Sequence, residues 1–166
     1  SIYLIAFFYG YSYYQLFHPL LLSRSIGEIC MGIIDYNLMK YDYRKDEIIR
    51  FSTSKTISPK EYQLALEKFL FLVRKQDRIL TMAFQILHRL AEDPKVEVKM
   101  VKKGIVNLLL KNMNRININL LLEVLLFLKK LSIIQINKDT MIRGNIFEKM
   151  MDVFEMRHPF IWAINL

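Results

Sequence analysis

The stretch FQILHRLAEDPKVEVKMVKKGIVNLLLKNM, residues 84 to 113, matches LLFLKKLSIIQINKDTMIRGNIFEKMMDVF, residues 125 to 154, when the chain is shifted by 41 positions. Apolar residues coincide at Phe84 and Leu125, Ile86 and Phe127, Leu87 and Leu128, Leu90 and Leu131, Met100 and Met141, and Ile105 and Ile146. Among them Phe84, Leu87 and Leu90 follow at steps of three, and Ile86 and Leu90 at a step of four, which is helical spacing. A helical period of about 40 to 47 residues is typical of armadillo and HEAT repeats, whose units bury their apolar faces against one another.

The composition supports a purely helical chain. The 166 residues are 53% hydrophobic and include only 5 Gly and 4 Pro, so there is enough apolar surface for a core and few residues that break helices. We therefore predict an all-α fold, an armadillo-like helical-repeat solenoid in which three-helix units wind as a right-handed superhelix. The chain begins with Ser and ends within the apolar stretch FIWAINL, which indicates a fragment whose last repeat is truncated.

The sequence contains no recognisable catalytic or metal-binding motif. The single cysteine, Cys30, rules out an internal disulfide and favours a reducing compartment. His18, His88 and His158 lie far apart, and neither a CxxC nor an HExxH motif occurs. Gly27 to Gly32 lacks the Lys and Ser or Thr of a phosphate loop. We predict a protein that is not an enzyme and holds no metal or cofactor.

The stretch from residue 1 to residue 23 contains no charged side chain, which raises the possibility of a membrane anchor over residues 2 to 22. Tyrosines in the middle of this stretch, and Gln15, His18 and Pro19 after them, argue against a bilayer span. The favoured interpretation is a helix buried between neighbouring repeats and apolar around most of its circumference. Membrane insertion is not expected, although the anchor stays open as an alternative.

Three regions are predicted along the chain. Residues 1 to 50 supply the N-terminal helices, residues 51 to 58 form a polar linker, and residues 59 to 166 form armadillo repeats with the last one truncated. Ser58-Pro59-Lys60-Glu61 has the form of a capping box and predicts a helix from there to Glu92. Further helices are predicted over 94 to 103, 105 to 114 and 117 to 133, followed by a unit that begins near Asn137, turns at 144 to 145 and ends at 158 to 159.

Two basic dipeptides fall on equivalent positions of successive repeats. His88-Arg89 and Lys129-Lys130 are related by the same shift as the two matching stretches, and both lie near the ends of the long third helices. Third helices line the concave surface of a solenoid, so these four residues are predicted to form a row of cations that binds an acidic or phosphorylated segment. The alternative is a solvated basic surface.

The net charge of +8 favours acidic partners in general. The basic residues are scattered pairs without interleaved aromatic side chains, so nucleic acid is not the expected partner. A generic helical-repeat protein that binds acidic peptides or nucleic acid through a basic face remains an alternative.

Several segments resemble one armadillo family, the accessory (kinesin-associated) subunits of heterotrimeric kinesin-II. The similar segments are YLIAFFYGYSYYQLFHPLL (3 to 21), IGEICMGIIDYNLMKYDYRKDEI (26 to 48), LVRKQDRILTMAFQILHRLAEDPKVEVKM (72 to 100), KKGIVNLLLKNMNR (102 to 115), FLKKLSIIQINKDTM (127 to 141) and IFEKMMDVF (146 to 154). The IIDYNL segment does not occur in the generic armadillo consensus, which makes the combination specific.

The resemblance implies a non-catalytic adaptor that binds the tails of the kinesin-II motor subunits and links the motor to cargo proteins. It also implies microtubule-based, intraflagellar transport and a cytoplasmic, cytoskeleton-associated location in the cilium or flagellum. The charged linker of the family is short here, and Arg89 stands where armadillo third helices commonly carry Asn, whereas Lys130 matches the Lys of the family.

Overall fold

The computed structural model describes residues 2 to 155 and is 84% helical. Within that range no strand occurs, and nine α-helices pack against one another. Their bounds are α1 Ile2–Ser12, α2 His18–Ser23, α3 Ile26–Thr53, α4 Pro59–Leu90, α5 Pro94–Lys102, α6 Ile105–Lys111, α7 Ile118–Leu131, α8 Gln135–Arg143 and α9 Ile146–Glu155, with a short 3-10 turn at Gln15–Phe17. The predicted all-α helical-repeat fold is confirmed. The predicted truncated helix after residue 159 lies outside the described residues.

The backbone repeats its conformation at one corner of each unit. Ser25, Gly104 and Asn145 have φ angles of 55°, 87° and 58°, and they are the residues with left-handed backbone in the described part of the chain. Each directly precedes an isoleucine that begins a helix, at the starts of α3, α6 and α9. The corner between the first and second helices is therefore the same in three successive units.

These corners define the order of the units. The first unit is α2, α3 and α4, the second is α5, α6 and α7, and the third is described through its first two helices, α8 and α9. Helix α1 packs beside α4, and α4 packs beside α7, so α1 takes the place of the third helix that precedes the first unit. The buried core runs through all of them, with Cys30, Ile34, Leu80, Phe84, Leu87, Ile105, Leu109, Leu120, Phe127 and Leu131 among its least exposed members.

The first unit carries a long helical arm that the second unit lacks. The interval from Ser25 to Gly104 is nearly twice as long as the interval from Gly104 to Asn145. In the second unit, residues 112 to 117 form a short connection between α6 and α7. In the first unit, residues 33 to 76 stand at the equivalent place and account for the added length. We call residues 33 to 76 the arm. It is an antiparallel pair of helices with its turn at residues 54 to 58.

A buried arginine holds the base of the arm against the second unit. Arg115, which is 1% exposed, donates from Nη1 to Oε1 of Gln76 over 3.0 Å. Its guanidinium carbon lies 3.9 Å from the centre of the Tyr41 ring, and Gln76 Nε2 donates to the carbonyl of Asn37 over 2.9 Å. Burial lowers the pKa of Arg115, and the nearby Tyr41 and Asp77 oppose that shift. The arm is thus tied to the connection between α6 and α7.

Three helices begin at the capping residues that the sequence predicts. The Ser58 hydroxyl accepts from the backbone N–H of Glu61, and the Glu61 carboxylate accepts from the N–H of Ser58, which is the predicted capping box. Asp93 and Asn117 cap α5 and α7 in the same manner, each through its side-chain oxygen. Helix α3 extends to Thr53, so the non-helical connection is shorter than the predicted linker.

The N-terminal stretch is apolar around most of its circumference, as predicted, but it is not buried between neighbouring repeats. One side of α1 packs against α4, with Ile5 and Ser12 buried. The other side is exposed, with Leu4 and Phe7 more than half accessible. The prediction is wrong on this point because α2 and α4 together cover only one side of the helix. Among residues 2 to 155, no helix has the length and apolar character needed to cross a bilayer.

Candidate partner-binding surface

The third helices α1, α4 and α7 lie side by side and form one continuous face, which we call the third-helix surface. The four residues predicted from the sequence to bind a partner lie at the C-terminal ends of α4 and α7, next to this surface. Cations there also suit the negative end of the helix dipole.

His88 is held by the neighbouring third helix. Its Nδ1 donates to Oε1 of Glu123 over 2.7 Å, and its ring stacks on Phe127 with the centroids 4.8 Å apart and the planes 11° from parallel. Glu123 is buried in α7, so this hydrogen bond satisfies a carboxylate that would otherwise lie uncompensated in the core. His88 joins α4 to α7.

Arg89 is held by α1 instead. Its Nη1 donates to the Ser12 hydroxyl over 2.9 Å, and the guanidinium carbon lies 3.6 Å from the centre of the Tyr13 ring and 4.7 Å from that of Tyr9. A guanidinium over two aromatic faces is a strong cation–π arrangement. Arg89 therefore fastens the uncharged N-terminal helix to the first unit.

Lys130 lies between the two units. Its Nζ is 3.9 Å from Oε2 of Glu97 and donates to the backbone carbonyl of His88 over 3.5 Å. Burial lowers the pKa of Lys130, and the carboxylates of Glu97 and Glu92 oppose this shift. Lys129, its neighbour on α7, is exposed.

The offset of 41 makes Arg89 the equivalent of Lys130, but the two side chains do not pair: Lys130 donates to the carbonyl of His88, whereas Arg89 turns away toward α1. His88, Arg89 and Lys130 are each engaged by another part of the chain. The role of these residues and Lys129 in binding a partner stays a prediction. A partner that binds at this end of the surface would either displace these internal contacts or bind beside them.

An open pocket of about 470 Å³ lies before these C-terminal ends, along residues 74 to 85 of α4, and is shared by all three third helices. Its lining is contributed by Ala6 and Tyr9 of α1, by Arg74, Asp77, Arg78, Thr81, Met82 and Gln85 of α4, and by Asn117 and Asn119 at the start of α7. Arg74, Arg78 and Asn119 are exposed, so cationic and amide groups face the solvent here. Such groups suit the carboxylates and backbone of a peptide.

One carboxylate lies on the inner wall of this pocket. Oδ1 of Asp77 is buried without a hydrogen-bond partner within the described chain. Burial raises the pKa of Asp77, and the charge of Arg115 opposes this rise.

The pocket residues were not predicted from the sequence, although a polar pattern on α4 marks some of them. Arg74, Arg78, Thr81 and Gln85 follow one another at steps of four, three and four, which is a polar stripe on one face of α4. That stripe identifies a solvated face. It does not by itself indicate that Asn117 and Asn119, from the next unit, complete a pocket with it.

Nothing in the described range resembles a metal centre, since residues 2 to 155 contain no group of three or more His, Cys, Asp or Glu side chains close enough to hold an ion. The thiol of Cys30 is buried in the core, and burial raises its pKa to about 12. It therefore stays protonated at neutral pH and is a poor nucleophile.

Comparison with known proteins gives a family but no structural template. No solved structure matches the chain. A family model described as kinesin-associated protein matches residues 1 to 166, which is the whole chain. The helical repeat, the segments that resemble the accessory subunits and this match agree, and the chain belongs to the kinesin-associated protein family.

Proposed function

We propose that this protein is a non-catalytic adaptor subunit of heterotrimeric kinesin-II that binds the tails of the motor subunits and links the motor to cargo proteins. The match to the kinesin-associated protein family over the full chain carries this proposal. The adaptor works in the cytoplasm on microtubules, in intraflagellar transport along the cilium or flagellum.

The tail binds along the third-helix surface. The observation that supports this location is the pocket that α1, α4 and α7 build together, because only a stacked array of units provides such a composite face. Arg74 and Arg78 supply positive charge at its rim, and Asn117 and Asn119 supply side-chain amides. His88, Arg89, Lys129 and Lys130 continue the surface toward the C-terminal ends of the helices.

Charge reversal at Arg74 and Arg78 tests this proposal. Both side chains are exposed, and neither has an ion-pair partner within the described chain, so Arg74→Glu with Arg78→Glu leaves the core intact. We expect the affinity for purified motor-subunit tails to fall about tenfold, since each exposed charge contact contributes about 0.2 to 1 kcal/mol and reversal turns attraction into repulsion. Titration calorimetry at two salt concentrations measures the affinity and its salt dependence.

A matched control changes the net charge by the same amount away from the surface. Lys45 on α3 and Lys138 on α8 are exposed and line neither the pocket nor the third-helix surface, so Lys45→Glu with Lys138→Glu serves as this control. If both double variants weaken tail binding equally, the effect comes from the net charge of the protein and not from this surface. Unchanged tail affinity in the Arg74 and Arg78 variant would contradict the assignment of the surface.

A further inference from the structure

A second groove runs along the arm, separate from the third-helix surface. It lies between α3 and α4 and begins beside Ile2 of α1 as a cavity of about 560 Å³. A second cavity of about 230 Å³ continues it to Ile57 in the turn, and the two cavities share Arg44 and Lys68. None of these residues lines the pocket of the third-helix surface. We call this feature the arm groove.

The floor of the arm groove is apolar. Ala65 is buried, and Phe51, Leu72 and Ile79 are half-buried along its length. Phe71 is 64% exposed, so most of its aromatic ring is accessible to solvent in the described chain. Exposed aromatic side chains in a groove are characteristic of sites where a partner inserts its own apolar residues.

The rim of the arm groove is positively charged. Lys40, Arg44, Lys68 and Lys75 surround the larger cavity. Arg44 pairs with Glu47 over 2.6 Å, whereas in the described part of the chain no carboxylate pairs with the three lysines. Lys75 and Lys40 lie over the rings of Phe71 and Tyr36, at 5.7 and 4.5 Å from the ring centres. The charge of the rim is therefore largely uncompensated within the described chain.

The acidic residues of the arm do not offset this charge. Glu47 and Glu61 are the carboxylates that line the groove, both toward the turn. Glu47 is paired with Arg44, and Glu61 is taken up by the capping box at Ser58. A negatively charged partner would meet little repulsion over the larger cavity.

The length of the arm groove suits a helix. The α4 wall of the groove runs from Glu61 to Ile79, which is about 27 Å at a helical rise of about 1.5 Å per residue. An amphipathic helix of that length presents apolar residues at steps of three and four, which fits an apolar floor between two parallel walls. Acidic residues that flank the apolar stripe would face the lysines of the rim.

We propose that the arm groove is a second docking site and that its ligand is an acidic amphipathic helix of a partner protein. Charge complementarity between the lysine rim and flanking carboxylates selects the partner, and the apolar floor around Phe71 holds its hydrophobic face. The concave shape and half-buried floor favour an inserted helix over a flat anionic membrane. The site is independent of the motor-tail surface because the two share no lining residue.

The test uses the full chain and a labelled synthetic peptide that forms about five helical turns, with Leu at steps of three and four and Glu on both flanks. Fluorescence anisotropy measures its binding. We expect Lys68→Glu with Lys75→Glu to weaken binding about fivefold and to flatten its salt dependence. Phe71→Ser is expected to weaken it about threefold without altering the salt dependence, because it removes apolar contact only.

The double variant Lys45→Glu with Lys138→Glu is the matched control, and it should change the affinity less than about twofold because neither lysine lines the groove. Circular dichroism confirms that each variant is folded. Equal weakening by the control, or no weakening by either groove variant, overturns the proposal. Binding of the wild type to phosphatidylserine vesicles but not to the peptide, lost on reversal of Lys68 and Lys75, would assign the groove to a membrane and also overturn it.

Discussion

At the scale of single residues, the start of α4 depends on one carboxylate. Oε2 of Glu61 accepts from both the backbone N–H and the hydroxyl of Ser58 over 2.8 Å, and the N–H of Glu61 donates back to the Ser58 hydroxyl over 3.3 Å. These hydrogen bonds lower the pKa of Glu61 below its ordinary value of 4.5. The ionised form is thus favoured by the folded state.

A dependence of stability on pH follows from this shift. Because folding lowers the pKa of Glu61, its charge stabilises the folded state fully above pH 4.5, and this contribution is lost as the pH falls through the lowered pKa. Glu61→Gln keeps a capping oxygen but removes the charge. We expect the variant to unfold at a lower temperature than the wild type at pH 7 and at an equal temperature near pH 2. Thermal melts between these values measure the gap, and a gap of constant size would refute its origin in ionisation.

Residue positions were more predictable than residue surroundings. The offset of 41 makes Arg89 the equivalent of Lys130, and Lys130 does reach the end of α4, but it donates there to the carbonyl of His88, one residue before Arg89. The sequence did not indicate that Arg89 would lie under Tyr9 and Tyr13, because these tyrosines are far from it in the chain and belong to a stretch with no visible repeat. Periodicity predicts which positions are equivalent, but partners from another unit decide what each side chain contacts.

At the scale of elements, the corner between the first and second helices depends on a left-handed residue. Gly104 adopts φ +87° with open space where a Cβ would stand, so only the backbone conformation opposes a larger residue there. Ser25 and Asn145 accept the same conformation at the equivalent corners. Asn tolerates it readily, whereas Ser does so at some cost in free energy.

One substitution at two glycines should have opposite effects. Gly104→Ala is expected to destabilise the protein by about 1 to 2 kcal/mol, because alanine is strained in the left-handed region. Gly32→Ala is expected to stabilise it by about 0.5 to 1 kcal/mol, since Gly32 lies inside α3 with nothing within 4 Å of the added Cβ. Urea unfolding measures both free energies. A loss of stability at both positions would contradict this account of the corner.

Most helix starts could be predicted because they are local. Ser58, Asp93 and Asn117 each bond to a backbone N–H within three residues, so the signal lies in consecutive letters of the sequence. The end of α3 was less predictable. The residues after Phe51 are Ser and Thr without apolar periodicity, yet Ser52 and Thr53 donate to the carbonyl of Ile49 and remain helical through Thr53.

At the scale of the whole molecule, the arm explains why the sequence revealed only part of the repeat. The offset of 41 relates the second and third units, but the arm lengthens the first unit between the matching corners at Ser25 and Gly104. No single shift can align an interrupted unit with a regular one. The fold class and the later units were therefore predictable from periodicity, whereas α1 as a third helix and the composite pocket needed the three-dimensional stacking.

The arm and the second unit should be energetically coupled through Arg115. This residue is 1% exposed only while Tyr41 and Gln76 of the arm cover it. In the full chain, Arg115→Met leaves Gln76 Oε1 without its donor and Asp77 without the nearby positive charge that opposes its raised pKa. We expect the variant to lose about 1 to 3 kcal/mol of stability, the usual cost of an orphaned buried polar group.

A shortened chain completes the thermodynamic cycle. In the shortened chain, a copy of residues 112 to 117 replaces residues 33 to 76, so that the first unit has the length of the second. The copied Met113 then occupies the position of the core residue Ile34. In that background Arg115 is open to solvent, so Arg115→Met should change the free energy of unfolding by less than about 0.5 kcal/mol. The difference between the two backgrounds, measured by urea unfolding, is the coupling energy. Equal effects in both would mean that Arg115 does not hold the arm, and that the arm groove is positioned by α3 and α4 alone.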